Sequence, residues 1–299
     1  MTYRSVKETA EKWNITERVV RQYCRDGRVA GAYLKGKTWY IPADAEKPER
    51  KSRVKKTSDD LSGCLVLEKK AGIPGGIYHK IQIEFTFHSN HMEGSRLTHE
   101  QTRYIFETNT IDAENEAVNV DDIVETVNHF RCIDLIIDQA RKPLTEKLIR
   151  QLHLILKSGT ADSRKSWFAV GEYKKLPNEV GGKETVSPEN VPAMMKQLLE
   201  DYRQLTSVSF DDLLDFHVRF ETIHPFQDGN GRIGRLILFK ECLRCGIVPF
   251  IIEDDMKMFY YRGLQKWEKE PGYLRDTCLA AQDRFKKYLD YFGITYKDE

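Results

Sequence analysis

From His224 to Arg235 the chain reads His-Pro-Phe-Gln-Asp-Gly-Asn-Gly-Arg-Ile-Gly-Arg. An imidazole, a carboxylate, three glycines, an amide and two guanidiniums are packed into little more than a loop and one helical turn. Gly229, Asn230 and Gly231 allow backbone conformations closed to bulky residues, so successive N–H groups can point at one anion. The apolar residues Ile233, Leu236, Ile237, Leu238 and Phe239 predict a buried helix. Its N-terminus would face that anion, where orphan amides and the macrodipole favour negative charge. Arg232 and Arg235, three apart, offer planar forks to phosphate oxygens. Asp228 suits an anion site only if it holds a divalent cation that bridges phosphates. His224 is the one group of the stretch that exchanges a proton near neutrality. Taken singly, an Asp-Gly-Asn-Gly turn or a histidine before proline is an ordinary structural feature. No fold needs all of these polar groups at one helix start. The stretch reads as a phosphate site with a base beside it.

The same run meets every fixed position of the pattern HxFx[D/E]GNGRxxR and so resembles the Fic family. The resemblance implies a mainly α fold, a Fic-type helical bundle with a short β-hairpin flap. It also implies transfer of AMP from ATP to a hydroxyl of a target protein. His224 would be the general base. Mg²⁺ (or Mn²⁺) on Asp228, the amides of Gly229 to Gly231 and the Asn230 side chain would stabilise the α-phosphate. Arg232 and Arg235 would neutralise the β- and γ-phosphates, and Phe226 would be a buried anchor for the loop.

Upstream, Ile81, Phe85 and His88 mark a helical stripe that runs towards Ser89-Asn90-His91-Met92-Glu93-Gly94. Ser89 and Glu93 are four apart and stack on one face, and Gly94 suits a C-cap. On these residues alone Glu93 is an exposed carboxylate in a last turn. The resemblance makes Ser89, Glu93 and Gly94 an inhibitory motif, [S/T]xxxE[G/N], with Glu93 reaching Arg235 where a γ-phosphate would sit. Residues 167–173 and 178–183 read as two short extended pieces before a helix that starts at Pro188. In the family this segment is a flap (about residues 171–183) that docks a target segment by strand addition. Val180, Gly181, Gly182 and Lys183 would approach the nucleotide. Tyr260 and Tyr261 resemble a tyrosine pair near the adenine, although two tyrosines in a helix are usually core. Glu268 stands where the family often carries asparagine, a departure on the ribose side.

The scaffold that must hold these groups is also visible. Helical patterns run from about Thr98 to Phe106, Asp121 to Ala140, Thr145 to Leu156 and Phe210 to Thr222. Leu236 to Leu243 continues the buried helix after the motif, and Gly246 ends it. His129 and His153 read as scaffold. With 299 residues the chain has material for one large and one small domain. Residues 1–45 read as a winged helix-turn-helix domain, 46–62 as a charged linker and 63–299 as a Fic-type domain. Within the last, an inhibitory helix spans about 80–94 and a catalytic core about 120–290. Ser5 and Glu8 form a capping box. Arg18, Arg21 and Arg25 share one side of the second helix, and a hairpin turns at Lys35-Gly36-Lys37. The ending Gly-Lys-Thr-Trp-Tyr-Ile-Pro resembles the winged-helix domains of the MerR and excisionase type, which implies DNA contact. The net charge of +1 hides an asymmetry: residues 1–56 carry 15 Lys+Arg against 7 Asp+Glu, and the remainder 32 against 39. The basic head is thus the part expected to meet a polyanion. The six cysteines include one CxxC, Cys242 and Cys245, with no second pair for zinc. With no apolar run long enough to span a bilayer, the expectation is a cytoplasmic protein. Transfer of another group, removal of AMP, a DNA-binding regulator and a homo-oligomer remain open alternatives.

Overall fold

The computed structural model describes residues 2–25, 27–48, 60–112 and 117–297. The chain divides into two compact units, residues 1–56 and 57–299.

In the first unit, β1 (Tyr3–Arg4) precedes α1 (Val6–Trp13) and α2 (Glu17–Arg25), followed by β2 (Tyr33–Lys35) and β3 (Thr38–Pro42). The predicted capping box is formed: Glu8 N–H donates to Ser5 Oγ, and Ser5 N–H donates to the Glu8 carboxylate at 2.8 Å. β2 and β3 pair antiparallel, Lys35 opposite Thr38 across a two-residue turn, and β1 adds on the other side of β3. Val6, Ala10, Trp13, Val20, Tyr23 and Ile41 form its core. Arg18, Arg21 and Arg25 are exposed, as their spacing predicts, with Arg21 paired to Glu17 at 2.6 Å.

The second unit is mainly α, as expected. Its elements are α3 (Leu61–Ala71), α4 (Ile77–Met92), α5 (His99–Thr108), α6 (Val120–Asp138), α7 (Glu146–Lys157), β4 (Glu179–Val180), β5 (Lys183–Glu184), α8 (Val191–Gln204), α9 (Phe210–Ile223), α10 (Asn230–Cys245), α11 (Lys257–Lys266) and α12 (Gly272–Phe292). Helix α10 is buried on every side from Arg232 to Leu243, Arg235, Lys240 and Glu241 included, and lies in the middle of the core, packed by α4, α6, α7 and α9. That burial fixes where its N-terminus points, and the site is built there.

Two boundaries differ from the sequence expectation. The charged linker does not extend to residue 62: Asp60 caps α3 by accepting from Gly63 N–H (3.0 Å), and Leu61, Cys64 and Leu65 are buried. The remainder of that linker, residues 49–59, lies outside the described residues. Residues 167–173 are not a strand. They form turns tied to α7, where Gly171 N–H donates to His153 Nδ1 (2.8 Å) and Phe168 is buried, so the hairpin is confined to 179–184.

Candidate active site

The site is built from the two ends of one loop. Helix α9 stops because His224 takes a left-handed conformation (φ +51°) ahead of Pro225, a geometry that is strained for a residue with a side chain. The loop to α10 is held by Asn230. Its Oδ1 accepts from Phe226 N–H and its Nδ2 donates to Phe226 O, both at 2.8 Å. Phe226 is fully buried and stacks on the His153 ring at 4.1 Å between centroids. The anchoring expected of Phe226 is therefore present. The Asn230 side chain, expected to help stabilise the α-phosphate, is 1% exposed and uses its Oδ1 and one N–H of Nδ2 to close the loop.

Gly229, at φ +81°, caps α10 without a side chain, and the helix makes its first hydrogen bond from Ile233 N–H to Gly229 O (3.1 Å). The N–H groups of Asn230, Gly231 and Arg232 consequently have no intrahelical acceptor, which is the open end an anion requires. A carboxylate of the protein itself lies there. A Cβ at Gly231 would collide with Glu93 Oε1, so only glycine admits this approach. Arg235 Nη2 donates to Glu93 Oε1 (2.7 Å) and to Ser89 O (2.9 Å), while its Nε donates to Ser89 Oγ (3.1 Å). Ser89, Glu93 and Arg235 are thus brought together: spacing placed Ser89 and Glu93 on one face, and the resemblance implied their reach to Arg235. Gly94, at φ +96°, follows Glu93, the residue that ends α4. Burial alone would raise the Glu93 pKa, but Arg235 and Arg232 outweigh it and keep the carboxylate ionised.

His224 Nδ1 lies 3.3 Å from Glu221 O. A carbonyl only accepts, so Nδ1 carries the proton and Nε2 keeps its lone pair. Burial first, and the positive charge of Lys174 after it, lower the imidazole to about 4, against the hydrogen bond to Glu221 and the charges of Glu93 and Asp228. The ring is neutral at physiological pH, as a base must be.

Asp228 Oδ2 takes Lys157 Nζ at 2.5 Å and has Arg232 Nη2 at 3.5 Å. Burial would raise its pKa, yet Arg232 and Lys157 hold it at about 2. The carboxylate is 48% exposed, so one side remains open to an incoming cation. Glu125 on α6 joins both cations, with one oxygen on Lys157 and the other on Arg232. Lys157 and Glu125 were not identified from the sequence. They lie 71 and 103 residues before Asp228, on helices that read as scaffold, and nothing local marks them.

The flap residues form a tight hairpin, with Val180 opposite Lys183 and both Gly181 and Gly182 at positive φ, the pattern of a type I′ turn. All four are exposed, and a Cβ at Gly181 would be 3.6 Å from Gln265 on α11. Tyr260 is corrected. It is fully buried with its hydroxyl 2.6 Å from His217 Nε2, so no adenine can reach its ring. Tyr261 is half-buried, its hydroxyl 3.4 Å from Met92 O beside Glu93. Glu268 is exposed and lines an open groove of about 520 Å³ with Asp211, Asp215 and Trp267.

Fold and site together define a helical bundle with an anion cradle at the start of its central helix and a neutral imidazole beside it. Residues 143–241 match the model of the Fic/DOC family. The chain is 29% identical to the protein adenylyltransferase Fic of Drosophila grimshawi, over 69% of this chain and 42% of that protein. With the protein of the same name from Drosophila melanogaster it is 30% identical, over 78% of this chain and 44% of the relative. It therefore spans about two fifths of the length of these curated relatives. Among solved structures, a Fic domain containing signaling protein from Bacteroides thetaiotaomicron is 29% identical, with a TM-score of 0.57 over 77% of this chain and 90% of that one. A Fic family protein from Desulfovibrio desulfuricans shares the fold, with a TM-score of 0.59 at 21% identity.

Proposed function

We propose that this protein is a protein adenylyltransferase that moves AMP from ATP to a Ser, Thr or Tyr hydroxyl of a target protein. One observation carries the reading: an imidazole that carries its proton on Nδ1 lies one short loop ahead of a helix whose first N–H groups have no intrahelical acceptor, and Arg235 holds a carboxylate at that helix end. The name shared by the curated relatives supports it.

In this reading the target hydroxyl gives its proton to His224 Nε2 as its oxygen bonds to the α-phosphorus. The bond from that phosphorus to the oxygen bridging the β-phosphate breaks, and pyrophosphate leaves. The N–H groups of Asn230, Gly231 and Arg232 are preformed donors for the charge that grows on the phosphate. Arg232 and Arg235 face the outer phosphates. Asp228 is the residue that would hold Mg²⁺ or Mn²⁺, and its donor chemistry fits, since such ions take one or two carboxylates with phosphate and water. That ion would neutralise phosphate charge. The exposed edge of the hairpin at 179–184 would bind the target as an added strand, with Val180 to Lys183 nearest the nucleotide. Tyr261 is the aromatic face left for the adenine. Glu93 acts as a brake: its carboxylate lies where a phosphate belongs and already engages Arg235. The test is transfer of label from α-labelled ATP. His224→Ala should reduce it at least about a thousandfold with the fold intact; undiminished transfer would refute the base assignment.

A second role is proposed for the basic head. The exposed Arg18, Arg21 and Arg25 on α2, next to a hairpin, suit a duplex groove, with the hairpin on the backbone. Among the described residues no helix is long and apolar enough to cross a membrane, and none of the six cysteines is in a disulfide. These features suit the cytoplasm, the compartment proposed here.

A further inference from the structure

The ammonium of Lys174 is buried with its residue only 3% exposed, and among the described residues no carboxylate lies within ion-pair distance of it. A charge buried without a counter-ion is costly and calls for a reason. Its partners are three neutral oxygens: Asn178 Oδ1 (2.8 Å), Thr185 Oγ1 (2.5 Å) and Ile223 O (3.4 Å). Asn178 immediately precedes β4 and Thr185 immediately follows β5, so they flank the hairpin, and Ile223 is the residue before His224. Around this centre, Lys174 N–H donates to Pro225 O (2.9 Å), Asn178 Nδ2 to Phe226 O (3.0 Å) and Leu176 N–H to Gln227 Oε1 (3.2 Å). One ammonium thus closes the neck of the hairpin and binds it to the peptide in which the strained His224 sits.

We propose that Lys174 is a positioning residue that locks the docking hairpin to the base, so that a strand added to the hairpin presents its hydroxyl at a fixed distance from His224. The inference rests on the reading of His224 as base and of the hairpin as docking edge. Its charge also acts on the ring: Lys174 favours the neutral imidazole, whereas Glu93 and Asp228 favour the charged one. Burial lowers the Lys174 ammonium itself to about 8, so the lock should loosen above that pH.

The experiment uses the full chain carrying Glu93→Gly, with itself as substrate, and follows auto-modification from about pH 5 to about pH 10. With Lys174 present, the rate should fall above about pH 8. Lys174→Arg, whose charge does not titrate in that range, should keep the rate at neutral pH and lose the alkaline fall. Lys174→Met should cut the rate at least about tenfold, raise deuterium uptake across residues 176–185 and raise the His224 pKa by about one unit. If Lys174→Met is unstable, Thr185→Val, which keeps the charge, should still raise uptake across the hairpin. The inference is overturned if the alkaline fall persists in Lys174→Arg, or if uptake and the His224 titration in Lys174→Met match the parent. Those two readouts need no transfer. A parent that transfers no AMP therefore refutes the proposed activity without deciding this point.

Discussion

At the scale of single residues the site is an arrangement of protons. His224 is kept neutral by burial, and three further histidines, His129, His153 and His217, are buried and lowered in the same direction. Each has a folded pKa below the ordinary value near 6.5, so below that pH the unfolded chain takes up protons first. Stability from these groups is complete above about pH 7 and is lost as pH falls towards their folded values, by on the order of 2 kcal/mol each at pH 5. Glu221 acts in the opposite sense. Burial raises it to about 8, so folding becomes more favourable as pH falls from 8 towards 4.5, which offsets about one histidine. Denaturant unfolding at pH 7 and pH 5 should show a net loss of a few kcal/mol. Glu221→Gln should enlarge that loss; no change between the two pH values would contradict the burial of neutral rings. The imidazole at 224, the cradle and Arg235 were legible because they are contiguous and chemically dense. Lys157 and Glu125 were not, because each acts through a partner far away in the chain, and Lys174 was not, because nothing local marks a lysine that will be buried against neutral oxygens. Tyr260 was misassigned because a tyrosine that stacks on a purine and one that fills a core read alike, and only the 0% exposure separates them.

At the scale of elements, α4 is the part that carries a carboxylate to the start of α10. It is pinned by Ile77, Ile81 and Phe85 in the core, so Ser89 and Glu93 at its end are delivered to Arg235 with little freedom. The fourfold spacing of Ser89 and Glu93 predicted their common face, and the inward aim came from the resemblance. Glu93→Gly removes a charge-assisted hydrogen bond of about 1.5–3 kcal/mol. It should raise auto-modification by about an order of magnitude or more, measured as adenylyl incorporation over time, while Arg235 remains in place through Ser89. Unchanged incorporation would remove the inhibitory role. The bundle itself was legible from its helical periods. Helix α3 was missed because its apolar residues follow directly on the charged run, and the extended reading of 167–173 failed because its apolar residues pack on α7 without forming a ladder.

At the scale of the whole molecule, charge is divided between two units: a basic head, residues 1–56, and a mildly acidic body. The composition suggests separate partners for the two. In the full chain, Arg18→Glu with Arg25→Glu should abolish a salt-dependent shift of duplex DNA and leave adenylyl transfer unchanged. A shift that survives both reversals would exclude α2 as the reading helix.

The central claim is that the bend before α10 is a cradle for a nucleoside triphosphate with a base poised beside it. Intact-mass analysis of the purified chain after incubation with ATP and Mg²⁺ tests it most directly, comparing the parent, Glu93→Gly and Glu93→Gly with His224→Ala. The account predicts a gain of one adenylyl group or more in Glu93→Gly, little in the parent and none in the double variant. A gain that persists without His224, or a Glu93→Gly chain that takes up nothing, would contradict it.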